Sequence, residues 1–451
     1  MNKFINETLL PPVMRFVNTK AVTAIRNGMM YPLPFIIIGS FFLILGQLPY
    51  QPLQDYLFKI GLAPIFLQAN TAAFGIMAVW AAFGIAYAWV KEEGYEGAPA
   101  GITSIIVLVL LQPNFKAVVD AASKAVMDPT TKTPLQTTGI LDTAWLGGKG
   151  MIMAMVGGLL VGWIYSWFMK KKIIIRLPEQ VPENVSNSFA ALIPSAVIIS
   201  GATLIYGLFH YIANQTPIEW VYAVIQRPLQ GVTDGPVGVF VLAFLPVFLW
   251  FFGVHGAAVV SGVMSALLLA NTQDNAALYK AHELTLSHGA HIVTQAFMDQ
   301  FLTVTGSGLT MGLAIFLLFF AKSEQLKAIG KVEIGPAIFN INEPILFGMP
   351  IVLNPFMGVP FMLAPLASGI LTYLAIYTQI IPPFTGILVP WTTPAILSGL
   401  LAGGWQAMLW QILMLVLAGA IYWPFARKYD RQLYAQEQEM LKEEHAGIEA
   451  A

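Results

Sequence analysis

The feature that most constrains this chain is where its charges are missing. Nine runs free of Asp, Glu, Lys and Arg lie near residues 27–48, 70–90, 98–112, 150–169, 186–213, 236–256, 301–321, 350–378 and 398–426. A helix of about 20 mostly apolar residues crosses the hydrocarbon of a bilayer. At that depth each backbone polar group needs a partner from the protein itself, which makes helix the default conformation. The charged content is 10% and the hydrophobic content 57%, against about 25% and roughly 45–50% in soluble domains. With 23 basic and 24 acidic side chains in 451 residues, a soluble exterior cannot be built at this length. A soluble enzyme is excluded, and the expected fold is an all-α polytopic membrane protein.

The net charge of −1 argues against nucleic acid as a partner, because phosphate neutralisation needs a basic excess. There is no cysteine, hence no disulfide, thiolate metal site or cysteine nucleophile. The start, MNKFINETLLPPVMRF, lacks an apolar core followed by a small-residue cleavage site, so a removed signal peptide is not expected.

Lys and Arg are enriched on cytoplasmic flanks of spans. Lys3, Arg15, Lys20 and Arg26 precede the first run, Lys170, Lys171, Lys172 and Arg176 follow the fourth, and Arg427, Lys428 and Arg431 follow the last. Four crossings between the first two clusters and about six between the second and third place all three in the cytoplasm. About ten spans with both termini inside are expected. The basic, proline-containing stretch 170–188 reads as a cytoplasmic linker. The expected organisation is an N-terminal half over 1–213, a C-terminal half over 214–430 and a charged cytoplasmic tail over 431–451, a short exposed helix without chemistry.

Two segments of the second half are irregular. Between Ser261 and Gln300, NTQDNAALYKAHELTLSHGAHIVTQ is too polar to face lipid and follows a Gly-rich apolar run. In 334–349, IGPAIFNINEPILFGM, prolines and glycines interrupt any regular helix. Both read as re-entrant hairpins around a polar site, since irregular backbone at membrane depth is tolerated only inside protein or along a cavity.

Glu343 is the sole charged side chain in 334–426. An intramembrane carboxylate is costly and is by default a functional group. Asn340 and Asn342 beside it supply the amide donors and acceptors that a polyhydroxylated ligand needs. A desolvated carboxylate is also suited to accept a hydroxyl proton. His255, in WFFGVHGAAVV, is flanked by glycines that permit a break, and its imidazole could bind a sugar hydroxyl while orienting Glu343; Trp250 lies nearby. Among His282, His288 and His291, a metal reading has no HExxH support, and His291 is the residue placed at the ligand. Trp391, between prolines, is either a lipid anchor at the interface or a platform for a pyranose ring, with Thr392 and Thr393 as further polar groups. Asp234 reads as an external loop acid. No Walker A pattern or arginine-rich span occurs, which excludes an ATPase and a voltage sensor and leaves a channel unsupported.

GVHG, FNINEPILFGMPIVLNP and VPWTTP, in two halves joined by a basic linker, resemble the membrane-spanning enzyme IIC component of bacterial sugar phosphotransferase systems, in the lactose/cellobiose/N,N'-diacetylchitobiose family. The resemblance covers nearly the whole chain. It implies a homodimer in the cytoplasmic membrane, with the first five spans at the dimer interface. The second half would move as an elevator and present the 6-hydroxyl of a disaccharide to phosphocysteine on a separate IIB protein, with IIA upstream. By the same resemblance Glu343 lies at the reactive hydroxyl as its general base, paired with His255. Asn342, Trp391, His291 and Trp250 would line the sugar, and no cofactor or metal is implied. The rival is a proton-coupled secondary sugar transporter using Glu343 and His255 as a relay.

Overall fold

The computed structural model describes residues 15, 19–47, 51–118, 126–127, 135–178, 180–349, 351 and 354–449. Lys3 of the first basic cluster and most of the N-terminal stretch lie outside them. The described chain is mostly helical. Five helical runs are long and apolar enough to cross a membrane: Leu62–Glu92, Gly148–Lys171, Val185–Ala213, Pro355–Tyr377 and Leu397–Lys442. Two bent pairs, Lys20–Met30 with Leu33–Gly46 at 42° and Pro217–Thr233 with Pro236–Phe251 at 71°, raise the number to seven if each is one span. Ala98–Leu110 is a shorter apolar helix.

The chain divides into two compact units. The first comprises the described parts of Met1–Phe42 and Gly61–Gln230, and the second those of Leu43–Ile60 and Gly231–Ala451. The first unit thus runs past the basic linker, to Gln230.

The helices are α1 (Lys20–Met30), α2 (Leu33–Gly46), α3 (Gln51–Lys59), α4 (Leu62–Ala73), α5 (Met77–Glu92), α6 (Ala98–Leu110), α7 (Met151–Lys171), α8 (Glu183–Ala190), α9 (Leu192–Leu208), α10 (Pro217–Val221) and α11 (Arg227–Thr233). Within the first unit α5 is central, packed on α1, α6 and α7. Small residues make this possible, as they do generally where helices pack without a hydrophobic driving force. At Gly84 an added Cβ would lie 2.2 Å from the carbonyl oxygen of Gly28, and at Gly162 it would lie 2.7 Å from Trp89 Cβ. Lys20 and Lys170 both pair with Glu93, so members of the first two basic clusters meet at one end of this unit. One short two-stranded antiparallel ribbon, β1 (Phe115–Ala117) with β2 (Gln136–Thr138), accompanies the helices, and Phe115 faces Thr138 across it.

The second unit continues with α12 (Pro236–Phe251), α13 (Gly256–Lys280), α14 (Met311–Phe319), α15 (Glu324–Ile338), α16 (Glu343–Gly348), α17 (Pro355–Tyr377) and α18 (Leu397–Glu449), the last broken at Gly403–Gly404. Three sequence expectations are revised here. The run 301–321 is not one helix: a π-turn (Met298–Leu302) gives way to irregular backbone over 303–310 before α14 begins. The polar stretch after Ser261 is helical through Lys280, because Asn271, Thr272 and Asn275 are buried and bond neighbouring backbone. The tail is no separate element. α18 continues into it, where Glu437 accepts hydrogen bonds from the backbone N–H groups of Glu324 and Gln325, and Asp430 accepts from those of Lys322 and Ser323. Both carboxylates thereby cap α15, at the end of a helix that favours negative charge.

Candidate functional site

The site is built on segment 303–310, TVTGSGLT, where the chain abandons helix. Thr305, Gly306, Gly308 and Leu309 have φ of 62°, 88°, 90° and 54°. At Gly306 a Cβ would fall 2.2 Å from Asn342 Cγ, and at Gly308 2.4 Å from the Phe361 ring, so both positions exclude a side chain for reasons of space as well as conformation. Side chains replace the missing intrahelical bonds. Thr305 N donates to Asn340 Oδ1 (2.6 Å), and Asn342 Nδ2 donates to Ser307 O (2.7 Å) and Thr310 Oγ1 (2.9 Å). The hydroxyl of Tyr422 donates to Gly308 O at 2.8 Å.

Asn340 and Asn342 come from the tip of the helical hairpin formed by α15 and α16. Asn340 sits at φ 64°, a left-handed conformation that asparagine tolerates better than most residues. Besides Thr305, its amide holds the loop after α17: Nδ2 donates to the carbonyls of Trp391 and Thr393, the latter at 2.8 Å. One side chain therefore ties together the broken segment, the hairpin tip and the WTTP loop. The amide hydrogens that the sequence assigns to a sugar are engaged by the protein in both asparagines.

What this framework displays is Glu343 and Trp391. Glu343, half-buried, is the first residue of α16, directly after Asn342 and before Pro344, whose ring is pre-set for a helix start. Trp391 is 55% exposed, with its backbone pinned and its ring presented. A short aromatic line reaches the same hairpin from the GVHG bend. His255 is exposed and its ring centroid lies 4.7 Å from that of Trp250, which lies 6.1 Å from Phe347 of α16. The bend is tight: Gly253 has φ 78°, and a Cβ at Gly256 would lie 1.9 Å from Pro246 O.

One acid went unread in the sequence. Glu333 is fully buried on α15; its Oε2 accepts from Ile345 N of α16 at 3.3 Å, while Oε1 is buried with no hydrogen-bond partner among the described residues. α15 falls outside the runs read as spans. Burial pushes the Glu333 carboxyl up to about 8, and the nearby Glu343 adds to the shift. The buried stripe of α15 is Leu326, Gly330, Glu333 and Ala337. That helical spacing was the available signal.

His291 occupies a different constellation. It lies in the loop after α13, also outside the spans, with Nδ1 3.1 Å from Asp234 Oδ2 and Nε2 3.4 Å from Asp274 Oδ2. Burial works to lower its pKa, but the two aspartates outweigh it and raise the imidazole to about 9. A protonated imidazole donates from both nitrogens and accepts nothing. Asp234 also accepts from Val293 N at 2.6 Å, so it braces this loop. His282 is exposed at φ 58°, and His288 Nδ1 contacts Thr285 Oγ1 at 2.7 Å. Among the described residues no group of three or more His, Asp or Glu side chains is arranged to hold a metal ion.

The profile of the phosphotransferase system EIIC family matches residues 26–365. The oligo-beta-mannoside-specific EIIC component of Bacillus subtilis (strain 168) is 32% identical over 445 residues, covering 98% of this chain and 97% of that protein. The cellobiose-specific EIIC component of Geobacillus stearothermophilus is 33% identical over 450 residues, covering 97% of each. Among solved structures, the crystal structure of the transporter ChbC, the IIC component from the N,N'-diacetylchitobiose-specific phosphotransferase system, superposes with a TM-score of 0.89 at 33% identity, over 96% of this chain and 99% of that one.

Proposed function

The chain belongs to the phosphotransferase system EIIC family, and from that premise we propose that it carries a β-linked disaccharide of the diacetylchitobiose, cellobiose or lactose type across the bacterial cytoplasmic membrane and presents its 6-hydroxyl for phosphorylation. The observation that carries this reading is the half-buried carboxylate at a hairpin tip, Glu343, on a framework whose Asn340 also fixes the backbone of a tryptophan with an open ring. The flat Trp391 ring suits the apolar face of a pyranose, and a carboxylate suits its hydroxyls. His255 and Trp250 complete the sugar-facing group, while Asn340 and Asn342 act from beneath by fixing the backbone that holds it. His291, clamped by two aspartates, takes a supporting place at the rim of this half.

In the chemical step Glu343 accepts the proton of the 6-hydroxyl as that oxygen forms a bond to phosphorus. The bond from phosphorus to the cysteine sulfur of the IIB partner breaks, and the thiolate leaves with its electron pair on IIB. Proton removal by a positioned base is worth about 10²–10⁴-fold. IIA resupplies IIB upstream. Around this chemistry we place about ten spans and two re-entrant hairpins, cytoplasmic termini, a homodimer formed through the first half, and an elevator movement of the second. The Lys20 and Lys170 clusters at one end of the first unit support a shared, cytoplasmic side for both.

Sealed vesicles containing the purified protein, assayed with and without phosphorylated IIB, test the reading. Sugar should be recovered as its 6-phosphate only when phosphorylated IIB is present. Accumulation of unmodified sugar driven by an imposed proton gradient alone would instead make this a secondary transporter.

A further inference from the structure

Beyond Glu324 at its start, the α15–α16 hairpin carries two carboxyl groups, and they differ in every physical respect. Glu343 has access to the outside; Glu333 has none. Its Oε2 receives one backbone N–H, from Ile345, and its Oε1 receives nothing among the described residues. A carboxylate stripped of water and holding one hydrogen bond is far costlier than the neutral acid. Among the described residues no cation relieves it. α14, which packs on α15, has no titratable side chain, α16 brings only Glu343, and Asp430 and Glu437 of α18 face the start of α15. On α15 itself Lys327 pairs with Glu324, and Lys331 is exposed. Two nearby acids without a counter-ion ionise one at a time, and the better-solvated one ionises first.

We propose that Glu333 is a positioning residue that holds a proton at neutral pH, so that the negative charge of the carboxyl pair stays on Glu343, where the substrate meets it. The proton spares the hairpin interior a buried charge. The inference rests on Glu343 being the sugar-facing base only for its purpose, not for its truth.

The test is infrared spectroscopy of the full-length protein in lipid across pH 6–10. Wild type should show a protonated-carboxyl C=O band at pH 6 that fades near pH 8, and Glu333→Gln should lack that part of the band. Glu343→Gln should retain it, and loss of a negative neighbour should move its midpoint to lower pH. Identical wild-type and Glu333→Gln spectra at pH 6 would overturn the proposal. If Glu333→Gln does not fold, the Glu343→Gln midpoint decides alone, and an unmoved midpoint overturns it. Asp299, which accepts from Gln295 Nε2 in the Met298–Leu302 turn, is present in all three proteins and cancels in the differences. Sugar phosphorylation, measured separately, can fail without touching this band, and the band can fail while phosphorylation persists.

Discussion

The two units place carboxylates in opposite ways. In the first, Glu93 stands at the end of α5 between Lys170 and Lys20, which hold its carboxyl below the ordinary range. In the second, Glu333 is sealed in a hairpin and its carboxyl is pushed up. Regular helices explain the first arrangement. Helices α1, α5, α6 and α7 satisfy their own backbone and pack through small residues, so charge is needed only at their ends. The second unit breaks its helices at 303–310, at the hairpin tip and after α17, and side chains such as Asn340, Asn342 and Gln411 take over the exposed backbone groups. Irregular backbone is what lets a charged group and an open aromatic ring stand inside an apolar region.

The sharpest way to probe this contrast is at the displayed carboxylate. Glu343→Gln should lower phosphorylation by purified phosphorylated IIB about 100-fold or more while leaving the melting temperature within error; normal turnover would remove the base role. Next is the scaffold. Asn340→Ala leaves one backbone N–H and two carbonyls without their partner, and should cost about 2–5 kcal/mol. Asn27→Ala in the first unit, where the side chain donates to Glu92 at the surface and accepts a long bond from Arg26, should stay within about 0.5 kcal/mol. Equal losses in thermal unfolding would erase the distinction.

The pH response should differ in sign. Glu333 retains its proton in the folded state up to about 8, against an ordinary value of 4.5. Its contribution is therefore complete below 4.5 and is lost as pH rises through 8, at about 1.4 kcal/mol per unit at most. Wild type should lose melting temperature relative to Glu333→Gln between pH 6 and 9. Trp391→Ala should weaken sugar affinity about three- to tenfold in a calorimetric titration, as expected for one aromatic contact; unchanged affinity would make it a lipid anchor. The smallest effect is at Glu93. Because its carboxyl is depressed, its stabilisation is present above 4.5 and fades as pH falls, and Glu93→Gln should cost less than about 1 kcal/mol at neutral pH, converging with wild type in acid.

Much of the candidate site was legible because its signals are local. Glu343 stands out by isolation, GVHG by its glycines, and NINEP by amides and proline in an apolar stretch. The amides also carry a scaffold task that the sequence does not show. Nothing near Asn340 in sequence shows that Thr305 and Trp391, 35 and 51 residues away, would need it. The break at 303–310 had its own mark, the glycines of TGSG inside an apolar run, but without those distant partners a helix was the cheaper expectation. Glu333 lay outside every run read as a span, although its place in the 326, 330, 333, 337 stripe was there to be counted.

By itself, then, the sequence determined a membrane-embedded helical protein, the ends on which its basic residues gather, and the one acid set apart in its second half. Those follow from the cost of charge in hydrocarbon, which acts on each segment separately. Only the tertiary structure decided which backbone breaks are filled by which amides, that the tail caps α15, and that a second acid lies sealed beneath the first. Each of these depends on groups far apart in the chain satisfying one another where water cannot.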